Sequence, residues 1–225
     1  MFDIPNWQPK ARPGVVCLEG RNVTLEPFDV ATHCDGLFHA VGGEENADLW
    51  QYIPLGPFAD KTTLCHALRE ANRHQGWQTL VIRKVGDGEV LGMASYMRIR
   101  EAHGSAEVGC VVFGHALQRT REATEAIALM TEHVFDDLGY RRFEWKCNAA
   151  NEASKRAAIR FGYSFEGIFR NDMVMKGKNR DTAWYSIIDR EWPDIRAAYQ
   201  FWLRPENFGE DGKQKARLEA YRSAL

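Results

Sequence analysis

Residues 106–147 constrain the fold of this chain more than any other segment. Residues 106–113 (AEVGCVVF) are so rich in apolar side chains that we expect a strand buried on both faces. Residues 120–138 then place apolar side chains at helical spacing, and residues 142–147 alternate apolar with charged side chains, as a strand does. A strand, a helix and a second strand in succession predict a sheet with a helix packed on it.

The rest of the chain predicts more elements of both kinds. Further strands are expected at residues 21–28, 79–85, 89–100, 163–169 and 182–189, and the Gly86-Asp87-Gly88 turn predicts a hairpin. Further helices are expected at residues 29–41, 151–162 and 192–202, and after Asp60. The order β-α-α-β-β-β-α-β-α-β-β-α predicts an α/β (α+β) fold, with a mixed, mostly antiparallel twisted sheet and helices on both faces.

Composition argues against several classes of protein. The 225-residue chain is 44% hydrophobic with a net charge of −2, which indicates a globular protein that needs neither nucleic acid nor a membrane as a partner. No apolar run approaches the ~18–20 residues of a membrane span, and the N-terminus lacks a signal-peptide core. We therefore expect a cytoplasmic protein.

The cysteines predict neither a disulfide framework nor a metal site. The five thiols are scattered, odd in number and form no C-x-x-C pair. Reduced thiols in a reducing compartment are the simpler expectation, and no metal is expected. The residues concerned are Cys17, Cys34, Cys65, Cys110 and Cys147.

Three segments are expected along the chain. Residues 1–20 are irregular and are interpreted as an N-terminal arm anchored by Phe2 and Trp7. Residues 21–192 hold most predicted elements and are expected to form the main domain. Residues 193–225 are interpreted as a C-terminal helix and a charged tail, mobile after Phe208.

The loop at residues 114–120 joins the buried strand to the helix that follows it. The first turn of a helix has backbone N–H groups without intrahelical partners, and the helix dipole adds partial positive charge there. Arg119 and Arg121 bring full positive charges to the same place. This loop therefore predicts an anion site, one that would hold a diphosphate well.

Several motifs in this order resemble the GNAT acetyltransferases, and the RimJ/RimL branch most closely. The resemblance runs from about residue 18 to residue 192. It rests on EVG at 107–109, the loop from Gln118 to Ala123, TEA at 124–126, NEAS at 151–154 and NRDTAWYSIIDREW at 179–192. It implies an N-acetyltransferase that moves the acetyl group of acetyl-CoA directly to a primary amine, in a small molecule or at a protein N-terminus. It also implies a homodimer, with Phe201 and Trp202 as candidate contacts.

The same resemblance implies the cofactor contacts. A backbone N–H near residues 111–113 is expected to stabilise the oxyanion. Asn151 either contacts the pantetheine arm or caps its helix, and both roles are compatible. The implied cofactor residues are Val111, Val112, Phe113, Gln118, Arg119, Thr120, Arg121, Ala123, Thr124 and Asn151.

Arg121 departs from the family pattern, which has glycine at that position. Either Arg121 is the first helical residue, with its side chain in solvent or on a phosphate, or cofactor binding is weakened or lost. We favour the first. The second motivates an alternative function, a CoA-binding or degenerate GNAT-fold module without turnover, as does Ala158, which replaces the tyrosine acid of many members.

Two catalytic residues are implied, each with a plainer interpretation. Glu107 is the candidate general base, or it pairs with a lysine or arginine across the sheet. Ser154 is the candidate proton donor to the departing thiolate, or it only takes part in capping its helix through Asn151.

Three aromatic residues are candidates for the acceptor site. Trp50 and Tyr52 lie in the loop that shapes this site in the family, and Tyr96 lies in a strand that borders it. For Trp50 and Tyr52 we favour packing in the core over recognition, because aromatic residues commonly fill cores. For Tyr96, strand parity alone does not decide which face the side chain occupies. Arg180 and Asp181 are interpreted as a structural ion pair.

Overall fold

The computed structural model describes residues 3–222, which contain eight strands. These strands are β1 (Leu18–Glu19), β2 (Val23–Pro27), β3 (Gln78–Lys84), β4 (Val90–Arg100), β5 (Ser105–Phe113), β6 (Arg142–Asn148), β7 (Ser164–Met175) and β8 (Lys178–Ile188). They form one sheet in the order β1-β2-β3-β4-β5-β6-β8-β7. All neighbours pair antiparallel except β5 and β6, which are parallel. The predicted mixed, mostly antiparallel sheet is confirmed.

Four of the helices begin after short polar side chains that cap them. Asp29, Asp60, Thr120 and Asn151 each accept a hydrogen bond from a backbone N–H of the first turn that follows. The helices are α1 (Val30–Val41), α2 (Lys61–His74), α3 (Arg121–Glu132), α4 (Glu152–Arg160), α5 (Trp192–Trp202) and α6 (Leu218–Arg222). A π-helical turn at His133–Asp137 continues α3 to the end that the sequence predicted.

Helices cover both faces of the sheet, as predicted, and each face has its own core. Ile127, Phe143 and Tyr185 belong to the larger core, which lies under α3, α4 and α5. Leu37 and Leu64 belong to the smaller core, under α1 and α2. The two cores are separated by the sheet itself, so a side chain on β4 or β5 belongs to one face or the other.

The sheet opens in its middle, between β5 and β6. The two strands pair over four residues each, from Ser105 opposite Arg142 to Val108 opposite Trp145, and then separate. Beyond that point, Gly109–Phe113 keeps only β4 as a partner. A β-bulge lies in the same stretch, because Cys110 and Val111 stand opposite Ala94 alone and Cys110 has a φ of 45°. The opening and the bulge together create an unpaired strand edge inside the molecule.

The N-terminal arm lies against the end of the β4–β5 hairpin. Trp7 Nε1 donates to the carbonyl of Ala102 at 2.8 Å, and Arg12 pairs with Glu101 at 2.6 Å. Phe2, the other predicted anchor, lies outside the described residues, as do residues 223–225.

The segment after Phe208 is folded as far as Arg222, so its interpretation as a mobile tail is wrong over that stretch. Asn207 Nδ2 donates to the carbonyl of Trp202 at 3.0 Å, and Asn207 Oδ1 accepts from the N–H of Ala216 at 3.0 Å. Leu218 is buried in the larger core. Trp202 is also buried, since it packs under this segment, and it is therefore not an exposed dimer contact.

The cysteine prediction needs a correction. Cys34 in α1 and Cys65 in α2 form a disulfide, so these two thiols are not free. Sequence spacing could not reveal the pair, because it depends on how the two helices pack. Cys110 and Cys147 are buried free thiols, as expected, whereas Cys17 is exposed. Among residues 3–222, no helix has the length and apolarity that crossing a bilayer requires.

Candidate active site

A cleft of about 1830 Å³ follows the opening between β5 and β6. It exceeds the roughly 300–1,000 Å³ of an ordinary small-ligand site, so it has room for a long cofactor and a second molecule. Its wall contains every residue that the sequence assigned to the cofactor: Val111, Val112, Phe113, Gln118, Arg119, Thr120, Arg121, Ala123, Thr124 and Asn151. It also contains Glu107, Ser154 and Tyr52.

The amino end of α3 forms one part of this wall. Thr120 Oγ1 accepts a hydrogen bond from the N–H of Ala123 at 3.1 Å, which fixes the start of the helix. Arg121 is the first residue of α3, and the left-handed conformation in this loop belongs to Arg119, with φ 62°. The position therefore does not require glycine, and the first of the two alternatives for Arg121 describes its backbone. Its guanidinium lies 5.1 Å from the ring centre of Phe208.

Several basic side chains surround this helix end. Arg119, Arg121, Arg156 and Arg160 all lie on the cleft wall. Arg160 Nη1 donates to Thr124 Oγ1 at 3.0 Å, and burial lowers the pKa of Arg160. Positive charge, the helix dipole and free N–H groups thus coincide at one end of the cleft.

Glu107 lies in the cleft wall, where a general base would have to lie. It also forms ion pairs, as its plainer interpretation expects. Arg98 Nη1 is 2.7 Å from each carboxylate oxygen, and Lys146 Nζ is 3.0 Å from Oε2. Lys146 also contacts Glu144, which is buried beside it. The side chain of Glu107 is only 3% exposed, and this network holds it in place.

Ser154 lies where α4 begins and has two distinct hydrogen-bonding relations. Its N–H donates to Asn151 Oδ1 at 3.0 Å, which is the capping interaction. Its hydroxyl oxygen accepts from Trp145 Nε1 at 3.0 Å. Because the indole can only donate, the proton of the hydroxyl is left for another acceptor. Cys147 is a neighbour, and burial raises the pKa of its thiol, an effect opposed by a hydrogen bond with Ser154.

Two of the three acceptor-site aromatics are core residues, which corrects their assignment. Trp50 is fully buried in the smaller core, and its Nε1 donates to the carbonyl of Val41 at 2.7 Å. Tyr96 is fully buried in the larger core, and its hydroxyl donates to the carbonyl of Met130 at 2.9 Å. Strand parity points Tyr96 toward α3, where it packs in the larger core. Tyr52 does line the cleft.

Sequence reasoning missed several charged residues of the wall. Arg98, Lys146, Arg160 and Arg180 line the cleft, and so do Lys213 and Arg217 of the C-terminal segment. The predicted ion pair of Arg180 with Asp181 is wrong, because adjacent strand residues point to opposite faces. Asp181 Oδ1 instead accepts from the N–H of Asn171 at 2.8 Å. A charge alternating with polar residues in a strand was the available signal for Arg180.

Comparisons with known proteins agree with this geometry. A protein known as "Uncharacterized N-acetyltransferase YoaA" from Bacillus subtilis is 30% identical over 44% of this chain and 56% of its own length. "Putative ribosomal N-acetyltransferase YdaF" from the same organism is 26% identical over 47% of this chain and 57% of its own length. The chain thus spans little more than half the length of these two relatives. Both relatives carry the name of N-acetyltransferases.

One solved structure matches nearly the whole chain. A GCN5-related N-acetyltransferase from Brucella melitensis is 42% identical, covers 98% of this chain and 100% of its own, and superposes with a TM-score of 0.94. The family model described as "Acetyltransferase (GNAT) domain" matches residues 22–164, well over half of the chain. The chain therefore belongs to the GNAT acetyltransferase family.

Proposed function

We propose that this protein is an N-acetyltransferase that moves the acetyl group of acetyl-CoA directly to a primary amine. The observation that carries the proposal is one continuous cleft that joins a basic helix terminus to an unpaired strand edge. Acetyl-CoA has a matching pair of features, a diphosphate and an amide-containing pantetheine arm. Membership of the GNAT family supports the same assignment.

The cleft residues fit the cofactor. The N-terminal turn of α3 and the side chains of Arg119 and Arg121 would hold the diphosphate, and Arg121 Nε is buried without a hydrogen-bond partner among residues 3–222. The free edge of Gly109–Phe113 would pair with the pantetheine amides as a neighbouring strand would. Asn151 would contact the same arm while it caps α4.

The transfer needs three contributions from the protein. The amine nitrogen first bonds to the thioester carbonyl carbon, and a backbone N–H of residues 111–113 stabilises the oxyanion that this addition forms. The carbonyl then re-forms as the carbon–sulfur bond breaks and the thiolate of CoA leaves. Glu107 accepts the proton that the amine loses, through water. Ser154 donates a hydrogen bond to the departing sulfur, which regains a proton from solvent.

The alternative function is a CoA-binding module without turnover. Ala158 motivates it, since the family's usual tyrosine acid is missing at that position. Ser154 offers a substitute, because its hydroxyl lies on the cleft wall and its proton, which Cys147 accepts in this structure, would turn to the departing sulfur. Turnover therefore separates the two functions more sharply than binding does.

The first experiment is a calorimetric titration of the protein with acetyl-CoA, followed by measurement of CoA release with primary amines. We expect binding in the micromolar range and release with at least one amine. Arg121→Glu should weaken binding, whereas Arg190→Glu, an exposed residue away from the cleft, should not. No binding at millimolar acetyl-CoA would contradict the proposal, and binding without release for any amine would favour the non-catalytic module.

A further inference from the structure

Arg180 is a buried cation without a carboxylate partner. It lies near the start of β8 and is only 8% exposed. Its Nε donates to Thr182 Oγ1 at 3.2 Å, and its Nη1 lies 3.6 Å from the sulfur of Met175. Among residues 3–222, no carboxylate oxygen lies within 4.0 Å of the guanidinium, although Arg180 belongs to the cleft wall.

This environment is unfavourable for a guanidinium on its own. Burial lowers the pKa of Arg180, since removing the charge from water disfavours the protonated form. A hydroxyl and a thioether are neutral acceptors and leave Nη2 without a partner among the described residues. Buried charges in proteins are normally paired, so an unpaired one on a cleft wall indicates a partner that comes from outside.

The sheet register places Arg180 on the acceptor side of the opening. The last pair between β6 and β8 is Asn148 with Thr182, so Arg180 lies two residues beyond the end of β6. There it borders the opening between β5 and β8. Parity puts it on the face of Thr182 and Trp184, opposite Ala183 and Tyr185 of the larger core. Because α3 packs on that larger core, Arg180 lies on the other face of the sheet from α3.

The neighbouring charges favour an anion at this place. Arg98 and Lys146 line the same cleft, and Glu107 is the carboxylate that contacts both. Glu107 is therefore already engaged by two cations and does not lie within 4.0 Å of Arg180. Glu107 and, more weakly, Asp172 act on Arg180 only electrostatically, without contact, and Arg98 opposes them.

We propose that Arg180 binds a carboxylate of the acceptor, so that the preferred substrate is a primary amine that also carries a carboxylate group. A guanidinium offers parallel N–H donors that match the two oxygens of a carboxylate. The acceptor would then be held at both ends, with its amine toward Glu107 and its carboxylate on Arg180. This assignment rests on the proposed acetyl transfer and specifies its substrate class.

The test compares amino acids with their amides, which lack the carboxylate charge, and each rate is referred to the concentration of neutral amine because the amides have less basic amino groups. CoA release is measured for a panel of amino acids and the matching amino acid amides, at saturating acetyl-CoA. Wild type should prefer the amino acids in kcat/KM by about 10- to 100-fold, the range expected for a charge-assisted hydrogen-bonded pair. Arg180→Gln should remove this preference, mainly through KM, and Arg180→Lys should restore part of it.

Two controls distinguish binding of the acceptor's carboxylate from a loss of folding and from a contact with the cofactor's phosphates. Arg170→Gln removes an exposed arginine from the same hairpin and should keep the wild-type preference. The Kd for acetyl-CoA should stay within about twofold in Arg180→Gln, which shows that the variant folds and that Arg180 does not hold the cofactor's phosphates. A tenfold weaker Kd for acetyl-CoA with unchanged acceptor preference would overturn the inference in favour of a phosphate contact.

The remaining outcomes are also decisive. Equal use of amino acids and amides by wild type, or turnover confined to amines without a carboxylate, would overturn the inference while leaving acetyl transfer intact. Binding of acetyl-CoA without turnover of any carboxylate-bearing amine in the panel would overturn it as well. If acetyl-CoA does not bind at all, the proposed function fails and this inference fails with it.

Discussion

At the scale of single residues, the direction of the hydrogen bond between Trp145 and Ser154 determines that the serine hydroxyl acts as a donor. The indole of Trp145 only donates, so it occupies the oxygen of Ser154 and leaves the serine proton for an acceptor in the cleft. The sequence motif pointed to Ser154, but not to Trp145, since the two are brought together by the packing of α4 on β6. This pair supports the leaving-group role independently of the motif.

Ser154→Ala should lower kcat by about 10- to 100-fold, the value of one hydrogen bond to a charged group, with little change in the Kd for acetyl-CoA. Trp145→Phe should lower kcat less, since the hydroxyl remains but loses its fixed orientation. Ser164→Ala, at an exposed position of β7, is the control. Steady-state kinetics and calorimetry measure both quantities. An unchanged kcat in Ser154→Ala would leave only the capping interaction.

Glu107→Gln should lower kcat far more than it lowers acetyl-CoA affinity, because the amide keeps the shape of the side chain but accepts no proton. Glu101→Gln is a matched control, since Glu101 also pairs with an arginine and lies off the cleft wall. The dependence of kcat on pH separates the roles. A variant whose pH profile and kcat equal those of wild type would show that Glu107 is only an ion-pair partner of Arg98 and Lys146.

A residue could be assigned from the sequence when local spacing along the chain fixes its position, and not when tertiary packing does. Apart from Asn151, the residues assigned to the cofactor lie in one local unit of strand, loop and helix, so spacing along the chain was enough to bring them to one cleft wall, and their cofactor role stays a prediction. Trp50 and Tyr96 were misassigned because a face of a strand or loop is chosen by tertiary packing. Arg180 was missed because its role depends on β8 extending past the end of β6, which no local pattern encodes.

At the scale of elements, the starts of the helices follow the sequence closely. The β7–β8 hairpin is longer than predicted, since β7 runs to Met175 and β8 begins at Lys178, and the links between elements were not predicted. Local caps and alternation define where α1, α2, α3 and α4 begin, and all four capping residues are readable in the sequence. The Cys34–Cys65 disulfide joins α1 to α2 across 31 residues and depends only on how these helices meet. The folded C-terminal segment likewise depends on Asn207 and Leu218 finding distant partners.

Replacement of Cys34 and Cys65 by serine should lower the free energy of unfolding by about 3–4 kcal/mol, the chain-entropy value for a loop of roughly 30 residues. Cys17→Ser is the control, because Cys17 is exposed and unpaired in the disulfide pattern. Urea unfolding with and without reductant measures the difference. If reductant leaves the wild-type midpoint unchanged, the bond does not form in solution.

At the scale of the whole molecule, buried thiol and phenol groups make the free energy of unfolding depend on pH in the alkaline range. Burial raises the pKa of the Cys110 thiol to about 12. Burial also raises the pKa values of Tyr96 and Tyr163 well above their ordinary range. The unfolded chain releases these protons first, so above about pH 9 the folded state binds more protons than the unfolded state.

Below about pH 9, these three groups should therefore add no pH dependence to the free energy of unfolding. Above about pH 9, they should lower it as the pH rises. Each of these groups can contribute at most about 1.4 kcal/mol per pH unit. Urea unfolding at pH 8 and pH 10.5 tests this, with tyrosinate absorbance as a direct readout of when the rings ionise. Tyrosinate signal in the native state near pH 10 from Tyr96 or Tyr163 would contradict their burial. Tyr96→Phe and Tyr163→Phe should reduce the pH dependence.

The separation of β5 from β6 has a consequence for motion. Only four pairs join these strands, so the backbone amides of Gly109–Phe113 have no partner on the β6 side. A ligand that occupies this edge would act as a temporary extra strand and link the first half of the sheet to the second. Amide hydrogen exchange in residues 109–113 and 146–148 should then slow together when acetyl-CoA binds, and the melting temperature should rise with its concentration.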